Sequence, residues 1–311
     1  MQQKEVDAYI DPVENRPGNA PLPDLTALIF KCGGKSLPLR ERTHIMGILN
    51  LTPDSFHDGG RYGDVDSALR HAGAMIEEGA DIIDIGGEST RPGSLGVTEE
   101  EELRRVIPVI REIRKRFDTV LSIDTTKERV AREALSEGVS IVNDISGLTY
   151  SRGIAEAAAG YGAGIVLMHT PSRPADMQSK TGYASLIDDV LDSLGRSAGK
   201  AIQAGVSAGS IIVDPGFGFG KTAVQNLTIL KNLARFCELG FPVMIGTSNK
   251  SFIGGITGGG TEDRLLGTAA TVAIGIINGA SVVRVHDVPQ MRRVVRMADA
   301  VAGKNTSINK G

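Results

Sequence analysis

Short aliphatic runs recur along the chain, and each stops at a polar residue. They occupy residues 45–49, 81–85, 120–123, 141–142, 164–168, 211–213, 243–245 and 282–285. None reads as a clean alternation of apolar and polar positions, so each is expected to be a strand buried on both faces. Helical patterns lie between them. Residues 66–78 place Ala68, Leu69, Ala72, Met75 and Ile76 at helical spacing. Thr98 and Glu101 make a capping-box pattern ahead of Leu103, Val106 and Ile110. Glutamates 99–102 therefore read as negative charge at a helix N-terminus and not as a metal site. Segments 127–135, 154–159, 186–204, 223–236, 264–278 and 289–302 complete the helical set.

Eight strand–helix alternations in about 260 residues predict a (β/α)8 TIM barrel. A doubly wound open sheet is the alternative, but it needs an early glycine-rich fingerprint that the chain lacks. Ahead of the first run, segments 28–30 and 35–39 flank Cys32-Gly33-Gly34. That pattern predicts a β-hairpin suited to plugging one end of the barrel. Residues 1–24 read as a loose, polar tail and residues 25–311 as one barrel domain.

Composition narrows the function. The chain is 41% hydrophobic and 23% charged, so a large core is expected; with 4% aromatics and no tryptophan, that core must be aliphatic. A net charge of −3 without a basic tract argues against nucleic acid as a partner. Cys32 and Cys237 are far apart and outside any metal spacing, and are expected to be reduced, buried thiols. The first twenty residues lack an apolar signal region, and the apolar tract near 265–277 is too short for a bilayer. A cytoplasmic enzyme is the expectation, although Asn226-Leu227-Thr228 matches a glycosylation acceptor.

In a barrel, chemistry collects at the C-terminal strand ends. The eight tips carry Asn50; Asp84 with Ser89, Thr90 and Arg91; Asp124; Asn143 with Asp144; Met168 with His169; Asp214 with Phe219 and Lys221; Asn249 with Lys250 and Ser251; and Arg284 with His286. Any one polar tip is ordinary capping chemistry, but eight converging on one mouth are a site. Asp124, Asn143 and Asp214 form an acceptor-rich wall. Buried carboxylates without a fixed cation call for a ligand with several donors, such as a nitrogen heterocycle with an amidine-like edge. Lys250 then meets a ring carbonyl or nitrogen, or else makes a structural ion pair with one Asp. Arg284 offers a fork to an anion, and Asn50 an oxygen to a magnesium ion held by that anion. Two near-motifs fail. Residues 216–222 have a P-loop's flavour, but Gly216 lies one position too close to Gly220-Lys221. Glycines 216, 218 and 220 do not spell GxGxxG, and suit a tight turn or close approach to a flat ligand.

The stretches MGILNLTPDSFHDGG, DIIDIGGESTRPG, SIDTTK with VNDISG, DPGFGFGK, GTSNKSFIG and RVHDV resemble the successive motifs of the dihydropteroate synthase family, in order, from about residue 32 to about residue 302. The resemblance implies a transferase that joins (7,8-dihydropterin-6-yl)methyl diphosphate to 4-aminobenzoate. It assigns Asp124, Asn143, Met168, Asp214, Phe219 and Lys250 to the pterin. Asn50, Thr90, Arg284 and His286 go to the diphosphate, with Mg2+ on Asn50. Phe56, Pro92 and Ser251 go to the 4-aminobenzoate pocket, much of it built when loops 51–61 and 87–96 close. Asp124, Asp214, Lys250 and Asp54 are the catalytic set, Asp54 supporting a cation as its loop closes. The resemblance also implies a homodimer. One position departs from the pattern, because Asn249 stands where the family usually has Arg. Folate-dependent methyltransferases share pterin-binding barrels and a Ser-Asn step, but generally lack the first loop and the RVHD ending. A non-catalytic pterin-binding paralogue is the other alternative.

Overall fold

The computed structural model describes residues 28–52, 61–90, 93–94 and 96–304, without the side chains of 61–64. The tail 1–24, Asp54, Phe56 and Pro92 lie outside the described residues. Strands β1 (Ile29–Cys32) and β2 (Lys35–Pro38) form an antiparallel hairpin. Eight parallel strands follow: β3 (His44–Asn50), β4 (Ile82–Gly86), β5 (Val120–Asp124), β6 (Ile141–Asp144), β7 (Gly164–Met168), β8 (Ile211–Asp214), β9 (Val243–Ile245) and β10 (Ala280–Val285). They close in the order β10-β3-β4-β5-β6-β7-β8-β9. The eight sequence runs are these eight strands, and most extend to include the polar tip.

The runs look uniformly apolar, yet they carry two separate layers with period two. Ile45, Leu49, Ile83, Ile85, Leu121, Ile123, Val142, Ile165, Leu167, Ile211, Val213, Val243, Ile245, Val283 and Val285 belong to the cluster that includes the surrounding helices. Met46, Ile82, Val120, Ile141, Val166, Ile212, Met244 and Val282 instead cluster with Phe30, Cys32, Leu37 and Leu39 of the hairpin. The hairpin therefore seals the barrel interior at the N-terminal end of the strands. Its own alternation follows, since Phe30 and Cys32 are buried while Ile29 is exposed. Burying Phe30 contributes about 1.5–3 kcal/mol.

Phe30 fits because β7 begins with glycine. A Cβ on Gly164 would meet Phe30 Cζ at 2.3 Å and Cys32 Cβ at 3.1 Å. Gly164→Ala is therefore expected to lower stability by about 1–3 kcal/mol through overpacking, with a reduced urea midpoint.

Three local readings change. Thr98 Oγ1 accepts from the Glu101 amide at 3.2 Å, but the Glu101 carboxylate pairs with Arg104 and Arg105 instead of completing a reciprocal box. The complete box forms at Thr222 and Gln225. The segment 223–236 is two helices, Ala223–Lys231 and Leu233–Cys237. Asn232 lies at the break, where its side-chain amide donates to the Thr228 carbonyl at 2.8 Å and competes with the helical ladder. A short helix, Ser251–Thr257, adds to the set. The barrel is also unevenly stitched: β8 and β9 share a single paired position, Val213 with Val243, against five between β3 and β4.

Candidate active site

Two residues beyond five of the eight plug-layer positions, the same inward face turns polar. Ile82 leads to Asp84, Val120 to Ser122 and Asp124, Ile141 to Asn143, Ile212 to Asp214, and Val282 to Arg284. The site is thus the continuation of the core, built on rigid strands.

Arg284 is at its centre. Its Nε donates to Asp84 Oδ2 at 2.6 Å and its Nη2 to Asp124 Oδ2 at 2.8 Å. Asn143 Nδ2 donates to the same Asp84 oxygen at 3.0 Å. Asp124 therefore has a fixed cation, contrary to the expectation of carboxylates without one. Asp84, a tip without an assigned role, is the hub. What remains unmatched shifts accordingly: among the described residues, Asp84 Oδ1, Asn143 Oδ1 and Ser122 Oγ are buried without a hydrogen-bond partner. The Asp214 carboxylate accepts only from the Gly216 amide, at 2.7 Å, among the described residues. Such orphaned acceptors carry a real cost unless a ligand supplies donors.

One narrow cavity gathers Thr90, Asp124, Asn143, Met168, Asp214, Phe219, Lys250 and Arg284. Met168 and Phe219 join Ile145 and Met177 in a separate apolar cluster that makes one wall of the mouth. Among the described residues, Lys250 makes no ion pair with an Asp. Its Nζ lies 4.1 Å from the centre of the Phe219 ring, a cation–π contact. His286 pairs with Ser248, whose Oγ is 3.0 Å from Nδ1 and accepts the His286 amide at 3.3 Å. Ser251 is exposed as the first residue of the short helix. Asn249 is left-handed at φ 58°, which Asn tolerates better than most residues. An Arg there would carry that backbone strain.

Burial dominates the titration. It raises Asp124 to about 7 against the pull of Arg284, and Asp214 to about 6 against the Gly216 amide and Lys250. Burial, then repulsion from Arg284, lowers Lys250 to about 8. For Arg284, burial opposes the charge, but Asp84 and Asp124 outweigh it and hold the group above its ordinary value. An Asp with a raised folded pKa binds more protons folded than unfolded, so it stabilises at low pH and loses that contribution as pH rises. Relative to an Asp214→Asn variant, the unaltered protein is expected to lose stability between about pH 4 and about pH 6. Urea unfolding of both proteins at the two ends of that window reads the difference.

Among the described residues, no group of three or more His, Cys, Asp or Glu is placed to hold a metal. Asn50 offers another kind of site. Its Oδ1 lies 3.6 Å from where a Cβ on Gly86 would sit, so the glycine leaves room beside that oxygen. One amide oxygen suits Mg2+ that draws its other ligands from water and phosphate. A second network braces the loop after β4. Lys127 pairs with Glu88 and, at 2.6 Å, with the fully buried Glu102, while Arg105 Nη1 donates to the Gly87 carbonyl at 2.7 Å.

A parallel barrel with these acceptors, one cation fork and an apolar wall at the C-terminal mouth defines an enzyme for a flat, donor-rich heterocycle. The pterin-binding enzyme family matches residues 46–286. The dihydropteroate synthase of Clostridium beijerinckii is 47% identical over 273 residues, 88% of this chain and 99% of that protein. The crystal structure of the Clostridium difficile dihydropteroate synthase in the presence of pteroic acid superposes with a TM-score of 0.80 at 45% identity, covering 84% and 97%. That of Xanthomonas albilineans dihydropteroate synthase with 4-aminobenzoic acid gives 0.82 at 40%, covering 88% and 98%. This chain belongs to the dihydropteroate synthase family, transferases of folate synthesis.

Proposed function

We propose that the mouth joins (7,8-dihydropterin-6-yl)methyl diphosphate to 4-aminobenzoate, releasing diphosphate and forming 7,8-dihydropteroate. The observation that carries this reading is the convergence of Asp124, Asn143, Asp214 and Lys250 from four strand ends on one cavity. Asp214 and the free Asn143 oxygen accept the N–H edge of the pterin, with Asp124 and Lys250 completing its polar contacts. Met168 and Phe219 cover its faces. Thr90, Arg284, His286 and Asn50 take the diphosphate; Arg284 Nη1, which has no hydrogen bond among the described residues, offers the N–H groups. Mg2+ would be held at Asn50, where it supplies Lewis-acid charge to the departing diphosphate.

The pterin methylene–oxygen bond breaks and its electron pair leaves with diphosphate. The cationic carbon left behind is conjugated with the pterin ring, and the charges of Asp214 and Asp124 favour it. Asp54 adds to that field. The arylamine nitrogen then forms the new C–N bond and loses its proton to water. Ser251, with Phe56 and Pro92, holds the aminobenzoate, its carboxylate near the start of helix Ser251–Thr257. No covalent intermediate with the protein is needed. The test supplies the pterin diphosphate, Mg2+ and 4-aminobenzoate and follows diphosphate release; pterin binding without release would overturn the reading.

The same reading makes the protein a cytoplasmic homodimer. Helices Thr261–Ile277 and Val288–Val301 pack together and expose Leu266, Ile274, Ile277, Met297 and Val301, apolar surface that a second copy would cover. Sedimentation at micromolar concentration tests this, and a monomer would refute it.

A further inference from the structure

The near-P-loop after β8 has a lysine with no place in the chemistry above. Lys221 is 4% exposed, and no carboxylate pairs with it among the described residues. Its Nζ instead meets His169 Nδ1, the Gly216 carbonyl and the Phe219 carbonyl, each at 3.0 Å. An ammonium has three N–H donors, and these three groups surround it at 3.0 Å, with the His169 carbonyl farther off at 3.5 Å. The neutral amine could donate to only two. His169 must then present an unprotonated Nδ1, in keeping with burial and Lys221 lowering its pKa to about 3. Burial, with repulsion from Lys250 and against the pull of Asp214, lowers Lys221 to about 7, but the ring of carbonyl oxygens favours its charged form.

The loop is wrapped tightly around this group. At Gly216, φ is 76° and a Cβ would lie 2.0 Å from the His169 carbonyl oxygen and 3.3 Å from Lys221 Nζ. At Gly220, φ is 58° and a Cβ would lie 2.2 Å from Pro171 Cγ. These glycines let the backbone turn around the protein's own lysine and not around a ligand. Asn226 fixes the outside of the turn, accepting from the Gly218 amide at 2.7 Å. The two loop residues that touch Asp214 and Lys250 are tied to the cage. Gly216 supplies the amide held by Asp214, and Phe219 carries the ring under Lys250.

We infer that Lys221 is a positioning residue: an internal cation, caged by His169 Nδ1 and the Gly216 and Phe219 carbonyls, that sets the loop placing Asp214, Phe219 and Lys250 around the pterin. The inference rests on the pterin reading of that cavity. Where a P-loop folds its amides around a phosphate anion, this loop folds its carbonyls around a lysine cation.

The test uses the full chain. Lys221→Met keeps the stem and removes the charge. Well below its unfolding temperature, it is expected to lose about 100-fold in kcat/KM for the pterin diphosphate, with the KM for 4-aminobenzoate unchanged. Calorimetric titration with a 6-substituted pterin should show matching loss of affinity. Should Lys221→Met fail to fold, two His169 variants decide. His169→Asn retains an acceptor near the position of Nδ1, whereas His169→Leu retains only apolar bulk. The cage predicts that Asn preserves pterin affinity and Leu does not. A folded Lys221→Met protein within twofold of the unaltered one in pterin kcat/KM, or Leu tolerated better than Asn, overturns the inference. Failure of the unaltered protein to bind the pterin or release diphosphate would instead overturn the functional reading.

Discussion

Arg284→Ala will lower stability by about 3–5 kcal/mol and abolish measurable turnover, because it leaves two buried carboxylates without their cation. The Asp84 side chain is fully buried and that of Asp124 is 8% exposed; both lean on the same guanidinium from neighbouring strands. Without it, Asp84 and Asp124 face each other across the β4–β5 seam. The stability loss is expected to shrink in acid, where Asp124 takes up a proton. Urea unfolding near neutrality and near pH 5 measures both effects. A deficit under about 1 kcal/mol, as for an exposed pair, would mean that Arg284 is not the keystone of this cluster.

Asp214→Asn acts differently, and comparison of the two variants is the stronger test. Asp214 has little to hold up: its one partner within the described chain is the Gly216 amide, and an Asn oxygen can accept that bond. The fold should survive with little change. Turnover should fall by about a hundred- to a thousand-fold, since the negative charge beside a developing cation is gone and one oxygen becomes a donor facing donors. Single-turnover diphosphate release measures the chemical step. Near-normal rates would remove Asp214 from the reaction.

Much of this could be read before any coordinates. The eight aliphatic runs and their polar tips gave the barrel and its mouth, because a both-sides-buried strand and a strand end have strong local signatures. Cys32-Gly33-Gly34 gave the hairpin. Less visible was the use made of each charge. Asp84 has no local mark of its role; its partner Arg284 is 200 residues away, and only ring closure brings them together. One signal was available, since Asp84 follows the inward Ile82 by two, which aims it at the centre. The break at Asn232 was hidden because its cause, a side chain bonding back to Thr228, leaves the apolar spacing intact. Lys221 was misleading for the opposite reason, its neighbours suggesting an anion while its surroundings are acceptors. Asn249 shows a departure that position explains in part, because its left-handed backbone favours Asn over the bulkier Arg.

The uneven stitching of the barrel bears on what a bound molecule does to the protein. The joint with one paired position lies between β8, which carries Asp214, and β9, which leads to Lys250. Any molecule gripped by both residues braces the weakest seam of the ring from above. Local opening starts where the ladder is thinnest, and a ligand that binds only the closed form adds its binding free energy to that joint. Occupancy of the mouth and mechanical integrity of the barrel are therefore coupled: the substrate serves as the missing rungs.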